Sequence, residues 1–266
     1  MPNSMKIPNA LVDAAAKREV VLFAGAGISF QTLNVSGQTL RDAIGALIQK
    51  DYASYNYQDR TFEDVCDEYA ALNDQVSLVF KLAELIPRTA PPLESHIAAV
   101  QMFKFIITTN WDLLFEAACT ITGTYYQILS TNQDAPAFNF DSHNLLKIHG
   151  SVDKPLSLIA TSEDYENYPD THKDLLDKVA AALAMNTVLF VGYGLRDEHL
   201  RRLLARIRRQ SGQWTRAAYA VGFYDEVRTE VLAKKGIKVL EYDAAEFLPE
   251  LAVRAGFRKA AATASD

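Results

Sequence analysis

Seven short runs of apolar, often β-branched residues punctuate the chain: 20–25 (VVLFAG), 105–109 (FIITT), 125–129 (YYQIL), 145–149 (LLKIH), 188–193 (VLFVGY), 217–221 (AAYAV) and 237–242 (IKVLEY). Runs that are apolar on both faces suit strands of a parallel sheet covered on both sides by helices. Between them the period lengthens to that of a helix. Over 196–210, Leu200, Leu203, Leu204 and Ile207 fall at i, i+3, i+4 and i+7 and predict one buried stripe. Residues 173–184 and 225–235 are comparable. The alternation predicts a doubly wound α/β fold around a mostly parallel sheet.

The interval between the first two strands is too long for a simple crossover. It carries helical patterns at 38–50, 61–72 and 75–86, then Pro87, Pro91 and Pro92, then a short helical segment at 93–101. We read it as a helical subdomain at about 38–101 inserted into one domain spanning 1–266. Residues 155–170 form a second, more polar excursion, and a frayed tail is expected over about 258–266.

Composition narrows the classes. Hydrophobic residues make up 49% of the chain, which excludes wholesale disorder. The net charge of −6 argues against generic attraction to nucleic acid or anionic lipid. No apolar run reaches the roughly 18 residues of a membrane span, and the first residues lack a secretory h-region. Cys66 and Cys119 make neither a disulfide framework nor a zinc ribbon. A cytoplasmic protein with reduced thiols and no metal is the expectation.

Four glycine-rich or polar turns follow predicted strands, where open α/β sheets bind ligands. In the first, the N–H groups of Gly25, Ala26 and Gly27 can approach a pyrophosphate and Ser29 can add a hydroxyl. A tight structural turn explains the same glycines. In the second, Thr109 precedes Asn110, whose amide both donates and accepts, as a ribose hydroxyl or a water requires. Asp112 could orient Asn110 or its loop. Either residue could instead cap the helix that follows. In the third, His149 can take a proton near neutrality, or be structural, and Gly150 would leave open space beside its ring. In the fourth, Gly192 and Gly194 would expose N–H groups and Tyr193 could pack on an adenosine or in the core. Asp197 there could cap a helix or bind a ribose. His96, His143, His172 and His199 have weaker contexts, and their spacing suggests no metal site.

GAGIS, TTNWD, KIHGS and FVGYGLRD occur in the order and spacing of the sirtuin-like NAD-consuming domains. From residue 20 to 242 the chain resembles most the bacterial branch of NAD-hydrolysing effectors in anti-phage defence. The resemblance implies a Rossmann-like fold with NAD+ as substrate. It places Gly25, Ala26, Gly27 and Ser29 in the phosphate loop, and Gly192 and Tyr193 in the late loop on the adenosine side; Thr109 and Asp197 are further candidates to contact the cofactor. Asn110 and Asp112 match the N-x-D that holds the nicotinamide ribose and the attacking water, and His149 matches the catalytic histidine. Protein-deacylating sirtuins usually carry four zinc-binding cysteines and a G-I-P-D-F-R segment. Two distant cysteines and residues 35–41 (VSGQTLR) depart from both.

The reaction expected is NAD+ hydrolysis to ADP-ribose and nicotinamide. The alternatives are an NAD-dependent protein deacylase or ADP-ribosyltransferase, and a non-catalytic NAD- or ADP-ribose-binding module. The resemblance further implies a homo-oligomer, activated by assembly or by a partner such as a HerA-like ATPase or a short Argonaute. At 266 residues the chain has little room for a sensor of its own, unless it is a shortened piece. Arg201, Arg202, Arg206, Arg208 and Arg209 form a basic face, either solvated or docking an acidic partner or another subunit. Direct nucleic-acid binding ranks below both, since no aromatic-interleaved motif accompanies the arginines.

Overall fold

Each of the seven apolar runs contributes a strand, and in the computed structural model they pair into one sheet. The structure describes residues 7–193, 205 and 216–258. The expected tail, Gly194, Asp197, His199 and the arginine-rich face lie outside the described residues, apart from Arg258 of the tail. In chain order the elements begin with α1 (Asn9–Ala16), β1 (Val20–Ala24), a short α2 (Phe30–Leu33), α3 (Gly37–Asp51), α4 (Phe62–Leu72) and α5 (Gln75–Glu84). Then follow α6 (Glu94–Met102), β2 (Phe105–Thr108), α7 (Leu114–Thr122), β3 (Gln127–Leu129), β4 (Asn144–Lys147), α8 (Ser162–Thr171) and α9 (Lys173–Met185). The last are β5 (Thr187–Val191), β6 (Ala218–Val221), α10 (Glu226–Lys234), β7 (Ile237–Leu240) and α11 (Ala244–Arg254).

The strand order is β3-β4-β2-β1-β5-β6-β7, and every pairing is parallel. The chain lays β2, β3 and β4 on one side of β1, with β3 at the edge and β4 inserted between it and β2, then crosses to β5 on the other side. The reversal places the topological switch, and so the ligand crevice, beside β1. Pleating sorts β1 between two cores. Val20, Leu22 and Ala24 face α1, α6, α7 and α11, while Val21 and Phe23 face α8, α9 and α10. All five side chains are fully buried, which is why the run shows no alternation.

Polar caps start the inserted helices. Ser36 accepts from the Thr39 N–H, Thr61 from Asp64 and Asp74 from Ser77, each worth about 1 kcal/mol. Leu40, Ile44, Val65, Leu78 and Leu82 of α3, α4 and α5 close a core of their own. Trp111, Leu113 and Val152, from the loops after β2 and β4, pack into it, so the insertion braces those loops. The last helix of the expected insertion, α6, instead packs in the main core through Ala98, Ala99, Val100 and Met102. Residues 155–170 are less irregular than their polarity suggests. A capping box between Thr161 and Asp164 starts α8, and Pro169 falls only near its end.

Candidate active site

The four turns leave the sheet at one level. Ala24 is in register with Thr108 and Val191, and Thr108 with Lys147. Asn110 and His149 therefore each stand two residues beyond the same row, on adjacent strands. The Ile148 N–H donates to the Thr108 carbonyl at 2.9 Å and extends that pairing toward the site.

Asn110 is buried at 7% exposure. Its Nδ2 donates to the Gly25 carbonyl at 3.3 Å and to Ser29 Oγ at 3.0 Å. Those two bonds use both amide hydrogens and settle the amide's orientation, because the flipped amide would set its oxygen against the Gly25 carbonyl. Oδ1 is then buried with no protein partner. Leaving such an acceptor dry costs about 1–3 kcal/mol, which a ligand hydroxyl or a water would recover. Asn110 is not a helix cap, since its amide reaches back to β1. Asp112 Oδ1 does accept the Leu114 N–H at 3.0 Å, at the start of α7.

His149 is equally buried, with its ring edge-on to Tyr165 at 5.4 Å and Tyr168 at 6.1 Å between centroids. The hydroxyl of Tyr168 donates to the Ile148 carbonyl, and the Ile159 N–H donates to that of His149. This backbone is held from both sides. Gly150 itself packs closely against Ser157. At φ +88° its position admits no Cβ, because one would strike the Ser157 backbone.

The glycines of the first turn make the tight turn that was one of their two expected roles. The N–H of Gly25 donates to the Val191 carbonyl at 3.0 Å, and that of Gly27 to the Gly192 carbonyl at 2.8 Å. These two donors are bonded inside the protein. What the glycines supply is close approach: a Cβ on Gly27 would lie 2.8 Å from the Gly192 oxygen. Ile28 and Ser29 donate back to Gly25 and Ala26 to complete the turn, while the Thr109 N–H reaches the Ala24 carbonyl at 3.4 Å. Tyr193 lies in the core, edge-on to Phe23 at 5.7 Å, and its carbonyl accepts the Tyr224 hydroxyl.

Two residues the sequence reading passed over belong to the site's framework. Lys147 is 1% exposed, and its Nζ donates to the Asp112 carbonyl at 2.6 Å, Glu116 Oε1 at 2.7 Å and Ser151 Oγ at 2.7 Å. Burial raises the Glu116 carboxyl above its usual range, and Lys147 opposes that rise. His96, fully buried in α6, sets Nε2 3.3 Å from Ser29 Oγ. Among the described residues no group of three or more His, Cys, Asp or Glu is placed to hold a metal, and no helix is long and apolar enough to cross a membrane.

G-A-G-I-S, N-x-D and H-G turns brought together at the switch point of a parallel sheet mark an open α/β domain with its ligand edge there. Residues 104–240 match the SIR2-like domain family, and the chain belongs to it. It is 27% identical over 211 residues to "Defense-associated sirtuin 2" of Bacillus subtilis, covering 75% of this chain and 20% of that protein. It is 25% identical over 224 residues to "NAD(+) hydrolase ThsA" of Bacillus cereus, covering 81% of this chain and 45% of the relative. The chain thus spans less than half the length of these curated relatives. The crystal structure of a Sir2 homolog–NAD complex shares the fold, with a TM-score of 0.59 at 15% identity, over 96% of both chains.

Proposed function

We propose that the chain hydrolyses NAD+ to ADP-ribose and nicotinamide. The observation that carries this reading is the orphaned, buried Asn110 Oδ1 beside the Ser29 hydroxyl, one strand from His149. Together they offer an acceptor, a donor and a titratable ring, the set that a ribose hydroxyl and an attacking water require. In the reaction the bond from the ribose anomeric carbon to the pyridinium nitrogen breaks, and its electron pair leaves with neutral nicotinamide. Water bonds to the same carbon and gives up a proton. The transition state is oxocarbenium-like, and its leaving group needs no acid.

In this reading Asn110 orients the ribose hydroxyls or the water, and His149 takes the proton. Asp112 keeps the loop that carries Asn110. Gly25, Ala26, Gly27 and Ser29, with Thr109, Gly192, Tyr193 and Asp197, form the nucleotide's surroundings. No step requires a metal. The names of the relatives, a defence-associated sirtuin and an NAD(+) hydrolase, support an NAD-depleting role in defence. We further propose, from the motif resemblance alone, that the target of that defence is phage, that the chain works in the bacterial cytoplasm, and that self-assembly or a partner protein switches it on.

Incubation with NAD+ alone tests the reaction. Nicotinamide release without any acceptor is expected, and His149→Ala should slow it by about 100-fold or more while the circular dichroism spectrum is kept. Release only with an acyl-lysine peptide or protein acceptor would replace hydrolysis by group transfer. Tight NAD+ binding without turnover, in the assembled state as well, would make the chain a binding module.

A further inference from the structure

We infer that His96 is a positioning residue for this site: it donates from Nε2 to Ser29 Oγ, so that the Ser29 hydroxyl proton is left for the ligand. The inference rests on the proposed reading in that the ligand is the ribose end of a nucleotide. The hydrogen-bond geometry stands on the free protein alone.

The argument starts from the backbone. The Leu93 N–H, just before α6, points to His96 Nδ1 at 3.3 Å. An N–H donor there needs a lone pair on Nδ1, so the single hydrogen of the neutral ring sits on Nε2. The nearest side-chain partner of Nε2 is Ser29 Oγ, at 3.3 Å, and it must accept. That oxygen also accepts from Asn110 Nδ2 at 3.0 Å. Both of its lone pairs are then occupied, and what remains is one O–H donor. Two polar functions are left unspent, the Ser29 hydrogen and the buried Asn110 Oδ1, each of fixed sign. A ribose diol, which both donates and accepts, complements that pair.

The surroundings hold the ring in this state. His96 is fully buried and packs edge-on to Phe115 at 5.0 Å. Burial lowers its pKa to about 4, and Asp112, the charged group facing it, pulls the other way. A second ring proton would also set N–H against the Leu93 N–H. At working pH the ring stays neutral with one tautomer.

Long-range ¹H–¹⁵N correlation of the free, imidazole-labelled protein reads the tautomer. The Nε2–H form, unchanged between pH 6 and 8, is expected. The Nδ1–H form or the imidazolium would overturn the inference. The second arm is kcat/KM for NAD+. His96→Phe should lose about 10-fold or more, the scale of one hydrogen bond, and His96→Gln, whose amide can donate near the Nε2 position, should recover most of that loss. Adding His96→Phe to Ser29→Ala should cause no further loss. A Gln variant as poor as the Phe variant, or losses that multiply, would overturn it. If the wild type releases no nicotinamide under any condition, the proposed function fails, and the tautomer still decides the role of His96. If His96→Phe does not fold, the tautomer and the Gln variant decide.

Discussion

Lys147 Nζ lies 2.7 Å from Glu116 Oε1, an ion pair whose lysine is wholly buried and whose ammonium spends its other hydrogens on the Asp112 carbonyl and Ser151 Oγ. One cation thus ties α7 to the loop that carries Asn110 and to the loop that carries His149. These three short bonds engage all three ammonium donors, and the Trp111 carbonyl lies near as a fourth, longer acceptor at 3.4 Å. The pair's weight is geometric. Attraction between buried charges is largely cancelled by their desolvation, whereas removal of one partner strands the other.

Lys147→Met should therefore destabilise the fold by about 3–5 kcal/mol, because Glu116, the Asp112 carbonyl and Ser151 lose their shared donor together. Urea titration at neutral pH measures this. Glu116→Gln keeps a hydrogen-bonding partner and should cost less. A Lys147→Met loss under about 1 kcal/mol would mean that water has entered and replaced the ammonium.

His96 makes stability depend on pH with a definite sign. Its folded pKa, about 4, lies below the ordinary value of 6.5. Between these values the unfolded chain takes up a proton that the folded protein refuses. Stability is then flat above about pH 6.5 and falls on acidification toward pH 4, by roughly 3 kcal/mol in all. Carboxylates held low by helix caps, such as Asp64 and Asp74, lose their contribution mainly below this window, as pH falls past their ordinary value of 3.8. The contribution of His96 is therefore the difference between wild type and His96→Gln in parallel urea titrations. Equal slopes for the two proteins would show that His96 takes up its proton in the fold as readily as in the unfolded chain.

The strands were readable because a parallel strand covered on both faces is an unbroken apolar run, as in β1 and β5. The turns were readable because glycine and polar residues directly after such runs fall at the ligand edge of the sheet. His96 was not, because nothing local distinguishes a histidine in an apolar helix from one merely satisfied in a core. Its partner Ser29 lies 67 residues away in the chain. Lys147 hid for the opposite reason: lysine reads as a surface residue until its acceptors are assembled in three dimensions. Of the two roles the sequence left open for Gly25 and Gly27, the tight turn is the one their backbone bonds express. Their N–H groups bond across the turns, and the missing Cβ is what matters.

Asn110 separates size from hydrogen-bond polarity. Asn110→Asp keeps the shape but sets a carboxylate oxygen against the Gly25 carbonyl, 3.3 Å from the present amide nitrogen, and removes the donor to Ser29. Both Asn110→Asp and Asn110→Ala should lower NAD+ turnover by about 100-fold, the range for loss of an oriented reacting group. Steady-state kinetics with equal amounts of folded protein measure it. Wild-type turnover by the Asp variant would show that a carboxylate serves there as well as the amide.

Gly150 and Gly37 form a matched pair for the backbone. Gly150 has φ +88°, and a Cβ there would run into the Ser157 backbone, whose Oγ holds the Ser151 N–H at 3.0 Å. Alanine at 150 must therefore pay for left-handed strain, about 1–2 kcal/mol, and also push Ser157 away. Ser157 cannot retreat freely, since its own N–H and Oγ are bonded to the Lys154 carbonyl. Gly150→Ala should cost at least 2 kcal/mol and, by moving the neighbouring His149, should lower turnover in the protein that still folds. Gly37 opens α3 with nothing within 4 Å of a built Cβ. Alanine there meets no atom and restricts the unfolded chain, so Gly37→Ala should be neutral or stabilising by up to about 1 kcal/mol. Thermal and urea unfolding of the two variants side by side measure the contrast. Equal stability of both would mean that the turn after β4 can relax around a methyl group, and that His149 is less firmly held than its backbone contacts imply.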